Sequence, residues 1–154
     1  MTANLFKTAL IGGVVLVAII AGAWYFIAPP DAAPIALSGY IEGTTGYPSE
    51  FNPAQVVCAE STTDVALKRC VEAPEQEGGV APAFRIKVPA GTYRVYATLK
   101  DPSDLGLSES GKAYWSAFVT CGFLASCKDH TPLEVVVHSG ATASGILPHD
   151  WYVR

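Results

Sequence analysis

Along residues 84–100, FRIKVPAGTYRVYATLK, apolar and polar positions alternate: Phe84, Ile86 and Val88 with Arg85 and Lys87, then Tyr93, Val95, Ala97 and Leu99 with Thr92, Arg94, Tyr96, Thr98 and Lys100. Successive side chains of a strand point to opposite faces, so this period of two predicts two half-buried strands about a Pro-Ala-Gly turn. Further strand candidates are 35–43, 54–60, 65–71, 113–121 and 133–138, separated by segments rich in Gly, Pro, Ser or Asp. Residues 35–154 sustain no helical periodicity, and seven short strands predict an all-β sandwich.

The N-terminus follows a different pattern. Residues 9–28, ALIGGVVLVAIIAGAWYFIA, carry no charge, and at a helical rise this run reaches about 30 Å, the thickness of a bilayer core. It predicts one transmembrane helix after a short cytoplasmic N-terminus, 1–8. Lys7 precedes the run, Asp31 follows it, and Trp24, Tyr25 and Phe26 sit at its far end, which orients the N-terminus inside and the remainder outside. A cleaved signal peptide shares the basic start and the small triplet Ala21-Gly22-Ala23, but the apolar run continues through Ile27 and exceeds the usual signal core. The expectation is a retained anchor in a bacterial inner membrane, with a periplasmic C-terminal domain.

Small residues divide between two faces of that helix, Ala9, Gly12 and Gly13 on one and Ala18 and Gly22 on the other, which lets a neighbouring helix pack closely. The run has no ionisable residue to serve transport or proton relay. Residues 29–34, PPDAAP, form a stiff extended linker that spans at most about 20 Å. The folded domain, 35–154, is thereby held near the membrane surface.

Composition removes several classes. Ten Lys and Arg stand against fourteen Asp and Glu, for a net charge of −4, and no basic stripe is present, which argues against nucleic acid as a partner. There is no G-x-S-x-G and no H-E-x-x-H, so neither a nucleophilic serine nor a zinc-hydrolase helix is indicated.

The four cysteines, Cys58, Cys70, Cys121 and Cys127, lie in the part expected outside the cytoplasm, where disulfides are favoured. Local pairing, Cys58–Cys70 and Cys121–Cys127, is the simplest of three connectivities. A metal centre of Cys121, Cys127 and His130 lacks a recurrent zinc spacing, and neither pair has the C-x-x-C spacing of redox sites. A clasp on the loop 122–126 would either present Phe123 and Leu124 as an apolar tip or let them fold back over the end of the sandwich, the commoner fate of such residues. Trp151 and Tyr152 either close the core or meet a partner. Asp129-His130 and His149-Asp150 can meet across the sandwich end.

SGYIEGTTGYP, the PAGTYRVYA stretch and LEVVVHSGATASGI together resemble the transthyretin-like (prealbumin-like) and carboxypeptidase-regulatory-like sandwich domains over most of 36–148. The resemblance implies an Ig-like, transthyretin-like fold with a PAGTY hairpin and a final strand after a glycine turn. It does not imply an enzyme: the hydroxyisourate hydrolases with this fold depend on a histidine-arginine set and a C-terminal Y-R-G-S that this chain lacks. A longer segment, CAESTTDVALKRCVEAPEQEGGVAP, departs from the family pattern.

The expectation from all of this is a non-catalytic accessory subunit of a larger membrane complex, respiratory or photosynthetic in kind. Its partners are other membrane-protein subunits and the lipid bilayer, with no cofactor, no metal and no small-molecule ligand. The alternative is a free membrane-tethered module that binds carbohydrate, peptide or envelope polymer through sandwich-end loops such as Asp101 to Lys112, with Tyr40, Tyr47, Tyr114 and Trp115 as its binding aromatics.

Overall fold

A computed structural model describes residues 37–152. The expected transmembrane helix, with Ala9, Gly12, Gly13, Ala18 and Gly22, and the linker lie outside the described residues. Among the described residues no helix is long and apolar enough to cross a membrane.

Eight strands form two sheets: β1 (Ser38–Thr44), β2 (Gln55–Ser61), β3 (Lys68–Ala73), β4 (Ala83–Pro89), β5 (Gly91–Leu99), β6 (Ala113–Tyr114), β7 (Glu134–Val137) and β8 (Thr142–Ile146). The smaller sheet has the order β4-β1-β8 and the larger β3-β2-β5, with β6 and β7 sharing the outer edge of β5. The all-β, two-sheet architecture is the one the alternation predicts, with one strand more than the seven expected. β8, TASGI, shows no apolar alternation and was implied only by the family resemblance. β3 begins later than residue 65 because Asp64 turns the chain, accepting the Ala66 amide at its side chain (3.0 Å) and the Leu67 amide at its carbonyl (2.9 Å).

Phe84, Ile86 and Val88 from the smaller sheet meet Tyr93, Val95 and Ala97 from the larger, all buried, in one cluster with Ile41 of β1 and Val57 and Ala59 of β2. Each such aliphatic side chain contributes about 1.5–3 kcal/mol relative to exposure. Tyr96 breaks the pattern. It lies on the outer face of the larger sheet yet is 1% exposed, because Lys112 sits over its ring at 4.2 Å, Lys68 at 5.4 Å, and Tyr114 tilts against it at 5.4 Å.

The expected PAGTY hairpin is a corner instead. β4 pairs with β1, Ile86 opposite Ile41, while β5 pairs with β2, Ala97 opposite Val57. Only Ala90 separates β4 from β5. The commonest tight hairpins use two loop residues, whereas here a single residue joins two strands of different sheets. Gly91 is not left-handed but opens β5 opposite Val137. The Tyr93 hydroxyl donates to the Pro89 carbonyl at 2.7 Å and ties the corner.

β1 and β8 run parallel, with an irregularity between Ile41 and Gly43. Gly43 is required there: a Cβ would run into the backbone carbonyl of Ile146. Beyond β8 the chain reaches β6, where the Asp150 amide donates to the Tyr114 carbonyl at 3.2 Å.

Candidate interaction site

β6 and β7 are two parts of one edge strand interrupted by a long excursion. Tyr114 pairs with Tyr96 and Glu134 with Arg94, while Ser116 bridges Pro132 and the Leu133 amide donates to the Trp115 carbonyl at 2.9 Å. Between these points the expected strand 113–121 gives way to a single helical turn, α1 (Ala117–Thr120). The turn ends on two successive left-handed residues, Gly122 (φ 82°) and Phe123 (φ 59°). A left-handed phenylalanine is uncommon and requires surroundings that hold it. Here the Phe123 amide donates to the Phe118 carbonyl at 3.3 Å, and the Cys121–Cys127 disulfide closes the loop.

The chain after β8 returns to lock this excursion. Asp150 is fully buried. Its carboxylate accepts the Ser116 hydroxyl at 2.6 Å and contacts His130 Nδ1 at 2.9 and 3.0 Å, and its amide donates to the Tyr114 carbonyl at 3.2 Å. Serine, aspartate and histidine are the residue types of a hydrolytic triad, but the order differs. The carboxylate stands between the other two, whereas nucleophile activation needs the imidazole beside the hydroxyl. Ser116 is moreover fully buried. The arrangement fastens the tail to the excursion.

Around this fastening the aromatic rings form one cluster. Phe118 stacks on His130 (4.6 Å) and meets Phe123 (5.6 Å) and Tyr152 (5.8 Å) edge-on, while Phe123 meets His149 at 5.1 Å. His149 lies against Gly46, where a Cβ would collide with the imidazole. Burial holds the His149 pKa below its ordinary value, against the upward pull of the Asp150 carboxylate.

The predicted site residues distribute as follows. Both local disulfides, Cys58–Cys70 and Cys121–Cys127, are formed, the first directly across the β2–β3 pair. Phe123, Leu124 and Tyr152 are 39%, 58% and 56% exposed. Trp151 belongs with the core instead: it packs against the buried cluster and donates from Nε1 to the Gly46 carbonyl at 2.7 Å.

Of the two His-Asp pairs, only His130 and Asp150 meet. Asp129 turns to Thr131, whose hydrogen bonds hold its carboxyl below the usual range, and His149 faces Phe123. Among the described residues no three His, Cys, Asp or Glu side chains are placed to hold a metal ion together. The four aromatics of the alternative reading do not converge. Tyr40 lies under Arg85, Tyr47 against Trp151, Tyr114 against Tyr96, and Trp115 against the core. Phe118 and Ser116, which organise the cluster, were missed by sequence reasoning. Their only signal was their place in an apolar run read as strand.

No family model matches the chain, and no curated protein matches it.

Proposed function

We propose that this chain is a non-catalytic, single-pass accessory subunit of a larger bacterial membrane complex, respiratory or photosynthetic in kind. In this reading residues 9–28 dock in the inner membrane and a transthyretin-like sandwich braces the periplasmic face. The observation that carries it is the exposed apolar surface of Phe123, Leu124 and Tyr152, fixed in place by a disulfide, a buried carboxylate and a ring cluster. An apolar patch costs solubility unless a partner covers it. Holding it rigid lowers the entropy lost on docking. Two disulfides agree with an exported domain.

The test is gentle solubilisation of native membranes, followed by native gels and identification of what migrates with the chain. Stoichiometric partners are expected, and should be lost when Gly13 and Gly22 become leucine and weakened when Phe123 and Leu124 become serine. A lone monomer that migrates identically in all variants sinks this reading and favours a free tethered binding module.

A further inference from the structure

The loops 45–54, 74–82 and 100–112 gather at the end of the sandwich opposite the point where the chain enters β1. Asn52 bridges Gln76, the Thr45 amide donates to the Pro82 carbonyl at 2.8 Å, and the Lys100 amide donates to the Ala54 carbonyl at 2.9 Å. Six carboxylates lie exposed here: Glu50, Glu75, Glu77, Asp101, Asp104 and Glu109. Among the described residues none of the six forms an ion pair. The two lysines of these loops are engaged elsewhere, Lys100 with Glu72 at 2.8 Å and Lys112 over Tyr96 and beside Glu60 at 3.7 Å.

The same surface carries exposed apolar side chains, Phe51, Val80, Leu105 and Leu107. Phe51 is shared by two adjoining grooves. One, of about 170 Å³, sets Phe51 and Leu105 against Glu75, Asp101 and Asp104. The other, of about 510 Å³, runs past Glu50 and Glu77 over the backbone of Gly78 and Gly79.

We infer that this groove pair is a second docking surface, for a protein segment that seats one apolar side chain beside Phe51 and flanks it with lysine or arginine. Charge complementarity selects that occupant. Anionic lipid headgroups and nucleic acid are repelled by the carboxylates. A second copy of this chain, at a net charge of −4, carries the wrong sign. A metal ion is disfavoured because these carboxylates are not grouped to share one. A basic segment gains steering from the acidic rim and affinity from the apolar seat. This surface depends neither on the membrane anchor nor on the Phe123 patch.

The test uses the full chain in zwitterionic detergent. The probe is a short labelled peptide with one phenylalanine between pairs of lysines, and its control has glutamate in place of lysine. Fluorescence anisotropy should show binding of the lysine peptide alone, weakened about threefold or more on raising salt. Phe51→Ala, which removes an exposed side chain, should weaken it about tenfold. The pair Glu75→Gln and Asp104→Asn should weaken it and flatten the salt dependence. Amide shifts should fall in the three loops. Equal binding of the two peptides, affinity unchanged in either variant, or shifts centred on Phe123 would each overturn the inference. None of these outcomes touches the co-migration experiment, which reads the other surface.

Discussion

Replacing Asp150 by alanine tests whether the carboxylate holds the tail on the excursion. The Ser116 hydroxyl, fully buried and donating to Asp150 at 2.6 Å, would lose its acceptor, at a cost of about 1–3 kcal/mol. His130 is a third exposed and recovers part of its hydrogen bond from water, leaving a loss of about 1 kcal/mol. The sum, about 2–4 kcal/mol, is a large share of the 5–15 kcal/mol typical of a domain. It should lower Tm by roughly 10–20 °C. Asp150→Asn keeps an acceptor for Ser116 and should lose about half as much. Thermal unfolding followed by near-ultraviolet circular dichroism under non-reducing conditions gives the values, and a double-mutant cycle with Ser116→Ala should return a coupling of about 1 kcal/mol. A Tm within about 3 °C of the parent for Asp150→Ala would refute the reasoning, because a fully buried acceptor cannot be removed so cheaply if it holds the tail.

Three further outcomes are expected. His149 has a folded pKa below its ordinary value, so between the two values the unfolded chain binds more protons. Its contribution is therefore intact above about pH 6.5 and declines as pH falls below it, and denaturant titrations across pH should show a shallower acid slope for His149→Gln than for the parent. Removing the disulfides should cost about 2 kcal/mol for Cys121–Cys127, separated by 6 residues, and about 3 kcal/mol for Cys58–Cys70, separated by 12, on chain-entropy grounds. Equal costs in urea titrations of the serine variants would count against that account. Gly43→Ala should destabilise by about 2 kcal/mol or more, since backbone rather than a flexible side chain occupies the Cβ position. Hydrogen exchange should show β8 opening first.

Much of this arrangement is legible in the pattern of side chains. The alternation at 84–88 and 93–99 predicts which side chains enter the core, because the period of a strand is fixed by its geometry. It does not say which sheet a strand joins, and that is why the corner at Ala90 reads as a hairpin. The run 113–121 misleads for a related reason. Tyr114, Trp115, Phe118 and Val119 suit a strand, but the edge of β5 is shared with β7, and Phe118 finds its partners in His130 and Tyr152. Local cysteine spacing made the observed disulfides the simplest of three connectivities, but only the fold, which sets Cys58 directly across from Cys70, selects them. The link between His130 and Asp150 was visible only as one of several pairings, since two residues twenty apart meet through tertiary structure that no local pattern encodes. Trp151 and Tyr152 are adjacent and similar, yet one faces the core and the other solvent.

The parallel pairing of β1 with β8 has a mechanical consequence. The chain enters β1 at one end of the sandwich and leaves β8 at the other. A pull between Leu37 and Tyr152 therefore draws the two strands along their length in opposite directions. The hydrogen bonds between them then resist together, in shear, where an antiparallel terminal pair pulled from its open end would unzip one bond at a time. A domain wired this way transmits tension between a tether on the Leu37 side and a contact on the Tyr152 side without peeling.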